Sequence, residues 1–250
     1  MSQLERLYGL HAVRAVLARD PARVVQLAIA DRRDDRRVAQ VEALARAAGV
    51  AVKRVDAQAL AKLAGEGVHQ GVVAEVKPLP PWTEDALLAA LRDAPAPLVL
   101  ALDGVQDPHN LGAILRSAEF FGALGAIWPV DRAANLSAVV VRTSAGASER
   151  LPLARVTNLA RALAACKDAG FWVIGTVVDG GRPLRELIDD GLPERVVVVL
   201  GSEETGLRRL TRESCDFLAT IPRVGAIGSL NVSAAAAVTL SAVCMGTKER

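Results

Sequence analysis

Short, unbroken apolar runs alternating with helix-period segments constrain this chain more than any other feature. Residues 98–102 (LVLAL), 171–177 (FWVIGTV) and 196–200 (VVVVL) show no polar alternation. Such strands must be covered on both faces, as in a parallel sheet sandwiched by helices. Between them, residues 111–121 and 160–169 space apolar side chains at helical intervals, and 125–129 reads as another strand. The larger part of the chain is therefore expected to be α/β with a parallel sheet. A smaller α/β unit precedes it, with helices predicted over 7–17, 35–48 (closed by Gly49) and 57–64, and strands over 24–30, 50–55 and 71–76. Pro78, Pro80 and Pro81, then Pro95 and Pro97, bracket one short helical stretch, the pattern of a stiff linker. The expected organisation is a unit over 1–77, a linker over 78–96 and a second domain over 97–250. No internal repeat is present, and the one low-complexity stretch, Ser233 to Ala237, suits a helix packed close against backbone.

Composition serves mainly to exclude. Although 51% of the 250 residues are hydrophobic, no apolar run approaches the length that crosses a bilayer. The first twenty residues carry charges through their apolar pattern and lack the form of a secretory signal, so a cytoplasmic address is expected, without a membrane partner. Cys166, Cys215 and Cys244 are too widely spaced for a zinc site or a disulfide framework; they read as buried thiols, and no metal is expected. Net charge is only +2, but residues 1–77 hold 13 Lys and Arg against 9 acids, while 78–250 holds 17 against 19. A basic first third suits phosphate contacts, although a solvated charged face is the commoner reason for such an asymmetry. With 3% aromatic residues, base stacking on an aromatic platform is not the favoured mode of RNA recognition.

Three segments join glycine and polar side chains to the end of an apolar strand, where open α/β sheets place their ligands. The first, DGVQDPHNLGAILRSAEFFGA, follows the strand at 98–102 and contains Asn110, a ligand group or a helix cap, and Arg116, a site residue or a surface ion-pair partner. The second, LGSEETGL, lacks the lysine a phosphate loop requires, which excludes an NTPase; on pattern alone Glu203 and Glu204 are acids favoured by a helix dipole. The third, IPRVGAIGSLNVSAAAAV, gathers Gly225, Gly228, Ser229, Asn231 and Ser233 at a helix entry; Ser229 or Asn231 can serve there as cap or as ligand. His109 sits in a turn after proline and reads as exposed. Dinucleotide-binding, serine-hydrolase and zinc-protease fingerprints are missing.

In this order and spacing, NLGAILRSAEFFGA, LGSEETGL and IPRVGAIGSLNVSAAAAV resemble the three signature motifs of the SpoU (TrmH-like) RNA ribose methyltransferases. The likeness extends through GLHAVRAVL and VHQGVVAEVKP, so nearly the whole chain is similar to the bacterial 23S rRNA guanosine-2'-O-methyltransferases of that family. The resemblance implies a C-terminal SPOUT domain whose last segment, from about Ile221, threads a deep trefoil knot. It also implies an L30e-like RNA-binding N-terminal domain, a homodimer, S-adenosylmethionine as cofactor and 23S ribosomal RNA as substrate. By motif it nominates Asn110, Arg116, Glu203, Ser229 and Asn231 as catalytic residues, and Gly201, Ile221 and Leu230 as cofactor contacts. One departure stands out: the second motif commonly reads G-A-E-G, whereas Glu204 replaces its last glycine here. Arg116 is nominated as base, yet an arginine stays protonated, so orienting a phosphate and stabilising the developing alkoxide is an equally physical role. A transfer RNA methyltransferase of the same family and a non-catalytic ribosome-associated RNA binder are the rival readings.

Overall fold

The computed structural model describes residues 4–31, 36–65, 68–80, 82–92, 94 and 98–248. Asp35, Pro81, Pro95 and Pro97, named above, lie outside them. The chain forms two compact units, one of Met1–Pro80 with Leu136–Arg150, the other of Pro81–Asn135 with Leu151–Arg250.

In the first unit the elements run β1 (Glu5–Tyr8), α1 (Leu10–Arg19), β2 (Val24–Ala30), α2 (Arg36–Ala47), β3 (Ala51–Val55), α3 (Ala57–Ala64) and β4 (Val72–Val76). The sheet order is β1-β4-β2-β3, with β2 parallel to β3 and antiparallel to β4. The helix predicted from residue 7 starts later, because Leu7 and Tyr8 pair with β4 and Gly9, at φ 92, turns the chain into α1. Alternation along β2 and β4 puts Leu27, Ile29, Val72 and Ala74 into one core with Val13, Val16, Val38 and Val41.

The second unit opens with α4 (Glu84–Leu91), β5 (Leu98–Asp103), α5 (Pro108–Phe120) and β6 (Gly125–Pro129). The connection after β6 carries α6 (Ala138–Thr143), which belongs to the first unit. The chain then continues through β7 (Leu153–Val156), α7 (Leu159–Asp168), β8 (Trp172–Thr176), β9 (Arg182–Pro183), α8 (Leu184–Asp189), β10 (Val196–Gly201), α9 (Arg209–Glu213), β11 (Phe217–Thr220) and α10 (Val232–Lys248). Every pairing in the seven-stranded sheet, ordered β7-β6-β5-β10-β8-β11-β9, is parallel. The apolar runs fill its centre, and Val196 to Leu200 are all essentially inaccessible. A parallel sheet puts the C-terminal ends of β5, β10 and β11 on one edge, and each of the three motifs follows one of those ends. Helix α4 is packed rather than free: Leu87 and Leu91 are buried in the core of this unit, and Trp82 bridges to Ala154.

The segment Leu136–Arg150 is wedged into the first unit. A Cβ on Gly146 would lie 2.8 Å from that of Ala15, so the close approach to α1 requires glycine there. Arg23, on the short helical turn Pro21–Arg23, donates from Nη1 to Glu149 Oε2 at 2.5 Å and from Nε to the Lys77 carbonyl at 2.9 Å. Both side chains are almost wholly buried, so each charge depends on the other for its compensation.

Candidate active site

The first motif enters α5 through a turn in which Asp107, not Asn110, is the cap: its Oδ1 accepts the His109 N–H at 2.8 Å, with Pro108 opening the helix. Asn110 is thereby left free to use its side chain, while His109 is exposed. In the second motif the chain leaves β10, reverses within five residues and returns. Ser202 and Gly206 exchange N–H to carbonyl bonds of 3.1 and 3.0 Å, and the Ser202 and Thr205 hydroxyls stand 2.8 Å apart inside the turn. Gly206, at φ 67, carries the positive dihedral. Glu204 is not among the positive-φ residues, so its replacement of the family's usual glycine imposes no backbone strain.

This turn places Glu203 between the other two motifs. Asn110 donates from Nδ2 to Glu203 Oε2 at 3.2 Å; Asn231 donates from Nδ2 to Glu203 Oε1 at 2.5 Å and to Asn110 Oδ1 at 3.1 Å. Three side chains far apart in sequence thus close a hydrogen-bonded triangle at the C-terminal edge of the sheet. Asn231 also caps α10, because its Oδ1 accepts the N–H of Ser233 at 2.9 Å and the Ser233 hydroxyl at 2.6 Å. One side chain thus both caps α10 and links the other two motifs. Glu203 Oε1 also faces the Val232 N–H at 3.4 Å.

The remaining nominated residues do not join this triangle. Gly201 ends β10 in register with Asp103, and a Cβ on it would fall 2.3 Å from the Gly206 backbone, so the turn closes only over glycine. Ile221 is half-buried at the start of the loop to α10, whereas Ser229 and Leu230 are exposed near its end. Ser229 has no hydrogen-bond partner among the described residues. The loop is braced by Arg223, which donates to the Gly228 carbonyl at 2.6 Å and pairs with Asp179 at 3.3 Å. Arg116 is exposed on α5 and has no polar partner among the described residues. Six residues on from Asn110, at 3.6 residues per turn, it points to a different side of the helix.

Two residues at this edge, Asp103 and Arg208, were not nominated: Asp103 only opens the first segment, and Arg208 follows the second. Asp103, the last residue of β5, is fully buried, and its carboxylate accepts from both the backbone N–H (2.8 Å) and Nε (2.5 Å) of Arg208. The only sequence signal is one acid closing an otherwise apolar strand. Cys166 and Cys215 are poor nucleophiles, because burial pushes both thiols up to about 12. Among the described residues no cluster of three or more His, Cys, Asp or Glu could hold a metal ion, and no helix is long and apolar enough to cross a membrane.

Comparison with known proteins gives this edge a context. Residues 97–241 match the SpoU rRNA Methylase family, and residues 6–82 match the RNA 2'-O ribose methyltransferase substrate binding domain. The chain is 48% identical over 241 residues to the 23S rRNA (guanosine-2'-O-)-methyltransferase RlmB of Pseudomonas aeruginosa, covering 96% of each chain. Among solved structures, an AdoMet-bound rRNA methyltransferase from Sinorhizobium meliloti superposes with a TM-score of 0.77 at 27% identity, over 96% of this chain and 86% of that one. The SpoU methyltransferase AviRb of Streptomyces viridochromogenes, at 24% identity, shares the fold with a TM-score of 0.79, over 98% of this chain and 91% of that one.

Proposed function

Because the chain belongs to the SpoU rRNA Methylase family, we infer that it transfers a methyl group from S-adenosylmethionine to the ribose 2'-hydroxyl of a guanosine in 23S ribosomal RNA. The observation that carries the reading is the triangle of Asn110, Glu203 and Asn231, which unites all three motifs at the ligand-binding edge of a parallel sheet.

The edge suits the cofactor. Half-buried Ile221 and exposed Leu230 offer apolar surface to an adenosine, and the glycines at 225 and 228, with open space where a Cβ would stand, let backbone approach it closely. When bound, S-adenosylmethionine supplies an electrophilic methyl on a sulfonium. The residues of this edge would hold the ribose 2'-hydroxyl aligned with that methyl, the hydroxyl proton passing to water, so the chain acts mainly by aligning two groups. Asn110, Glu203 and Asn231 hold the loops that do this, and the Ser229 hydroxyl, without a partner among the described residues, is available to the ribose. Arg116, exposed and without a polar partner among the described residues, serves as a guanidinium that holds the adjacent phosphate and stabilises the developing alkoxide, not as a base. Residues 1–77 recruit the RNA.

The working form in this reading is a cytoplasmic homodimer. Helix α10 has no charged side chain from Val232 to Gly246, and a helix apolar all round normally requires cover on every side. It packs on α5, yet Val238 and Met245 on α10 and Phe120 on α5 remain exposed, at 43%, 66% and 79%. A second copy of this surface would cover them.

The test is to map 2'-O-methyl groups on ribosomal and transfer RNA from cells lacking the protein, complemented with the normal chain or with Arg116→Ala. Loss of one 23S guanosine methyl, restored only by the normal chain, is the expected result. A lost transfer RNA methyl would move the substrate, and no lost methyl would leave a non-catalytic RNA binder.

A further inference from the structure

Asp103 and Arg208 form an ion pair with very unequal exposure. The carboxylate is wholly shielded, while the Arg208 side chain is 43% exposed. One oxygen accepts the backbone N–H of Arg208 and the other its Nε. Nη1 and Nη2 of Arg208 have no partner among the described residues. Its neighbour differs: Arg209 directs Nη1 to both oxygens of Glu213, at 2.8 Å each. Arg208 is thus held from behind by a buried acid, with the outer end of its guanidinium turned to solvent. It follows directly on the turn that carries Glu203, and Asp103 pairs in the sheet with Gly201, so this guanidinium stands at the edge where the three motifs meet.

We propose that Arg208 is a contact for a phosphate of the RNA strand at the methyl-transfer edge, set in its binding orientation by Asp103. The inference rests on the RNA ribose methyltransferase reading above and names a residue that none of the three motifs nominates. Replacing a buried ion pair by apolar side chains often leaves a protein equally stable, so anchoring the loop does not by itself account for the pair, particularly as the backbone N–H already provides an anchor. With Nε occupied, Nη1 and Nη2 remain as a parallel pair of donors that fits two oxygens of one phosphate. The rotamer is fixed during folding, so little side-chain freedom is lost when the RNA binds.

The test uses the full-length protein and a 23S fragment spanning the guanosine located by methyl mapping, with affinity measured between 50 and 200 mM KCl. Arg208→Ala is expected to weaken RNA binding roughly three- to tenfold at the lower salt and to reduce the slope of log K against log salt by about 0.7–0.9, the signature of one lost phosphate contact. Arg208→Lys should retain the slope, since it keeps the charge. Affinity for S-adenosylmethionine, measured by calorimetry, should stay within about twofold in both. An unchanged slope in Arg208→Ala overturns the proposal, whether the cofactor affinity falls, which would assign Arg208 to the cofactor or to loop shape, or nothing moves at all. If Arg208→Ala does not fold, Arg208→Gln, which keeps an amide donor for Asp103, takes its place with the same expected slope. The parent chain's own methylation of the fragment separates the two levels: if the parent fails to methylate it, the enzymatic reading falls and not the phosphate contact.

Discussion

Gly201 has no room for a side chain: a Cβ would lie 2.3–2.6 Å from the backbone of Gly206 and Leu207. Gly201→Ala must therefore displace the turn that carries Glu203. We expect a destabilisation of about 1–3 kcal/mol by thermal melting, with cofactor binding lost in calorimetry. Glu203 and Asn231 predict a contrasting pair. Glu203→Gln keeps the shape but replaces an acceptor with a donor facing Asn110 or Asn231, so methyl incorporation should fall at least about tenfold with little change in melting temperature. Asn231→Ala removes both the triangle and the cap on α10, and should lose activity together with about 1 kcal/mol of stability. At Cys166 the raised thiol favours the neutral form, so the folded chain should resist iodoacetamide at pH 8 until it is unfolded. The same shift stabilises the fold below the ordinary thiol range near 8.5, and that contribution is lost as pH rises toward about 12. The residues of the triangle were nominated by the family resemblance; pattern alone left Asn110 and Asn231 as caps or ligands and Glu203 as an acid favoured by a helix dipole. Asp103 and Arg208 were not nominated, because a lone acid and a lone arginine acquire meaning only when β5 and the chain after β10 lie side by side.

Among the elements, helix α4 shows how a piece that reads as linker becomes part of a core. Its C-terminal carbonyls are gathered by Arg195, which donates to Leu91 at 2.9 Å, Arg92 at 3.3 Å and Ala94 at 3.4 Å, while its guanidinium stacks 4.6 Å over the Phe171 ring. Arg195→Ala should lower stability by about 1–2 kcal/mol in calorimetric unfolding, by loss of the charge-assisted bonds and the cation–π contact, and Arg195→Lys should recover only part of it. Element type was legible wherever the apolar period ran for two turns or more, as in α3 and α7, or where a run was uniformly apolar, as in β5, β8 and β10. The six-residue α6 and α8 and the five-residue α9 are too short to show a helical period. β1 was merged into the helix that follows, because Leu7 and Tyr8 continue the helical spacing of α1 and only pairing with β4 makes them a strand.

For the molecule as a whole, the return of residues 136–150 to the first unit gives Glu149 a weight its sequence context does not suggest. Glu149→Ala leaves the Arg23 charge buried without compensation, and should destabilise the first unit by about 3–5 kcal/mol, seen as an early unfolding transition by calorimetry. The exposed apolar side chains of α5 and α10 predict a species of twice the 26.3 kDa chain mass in light scattering, and Phe120→Asp should shift it to the monomer. By itself the amino-acid sequence determined the α/β class, the parallel sheet and the three polar loops that follow its strands, because periodicity, chain breaks and the burial demanded by continuous apolar runs are local properties. Only the tertiary structure decided that Asn110, Glu203 and Asn231 meet, that Arg116 does not join them, that Asp103 holds Arg208, and that the first unit is completed by residues 136–150. Each of these depends on the order in which strands are laid side by side, and strand order is set by long-range packing that no local pattern records.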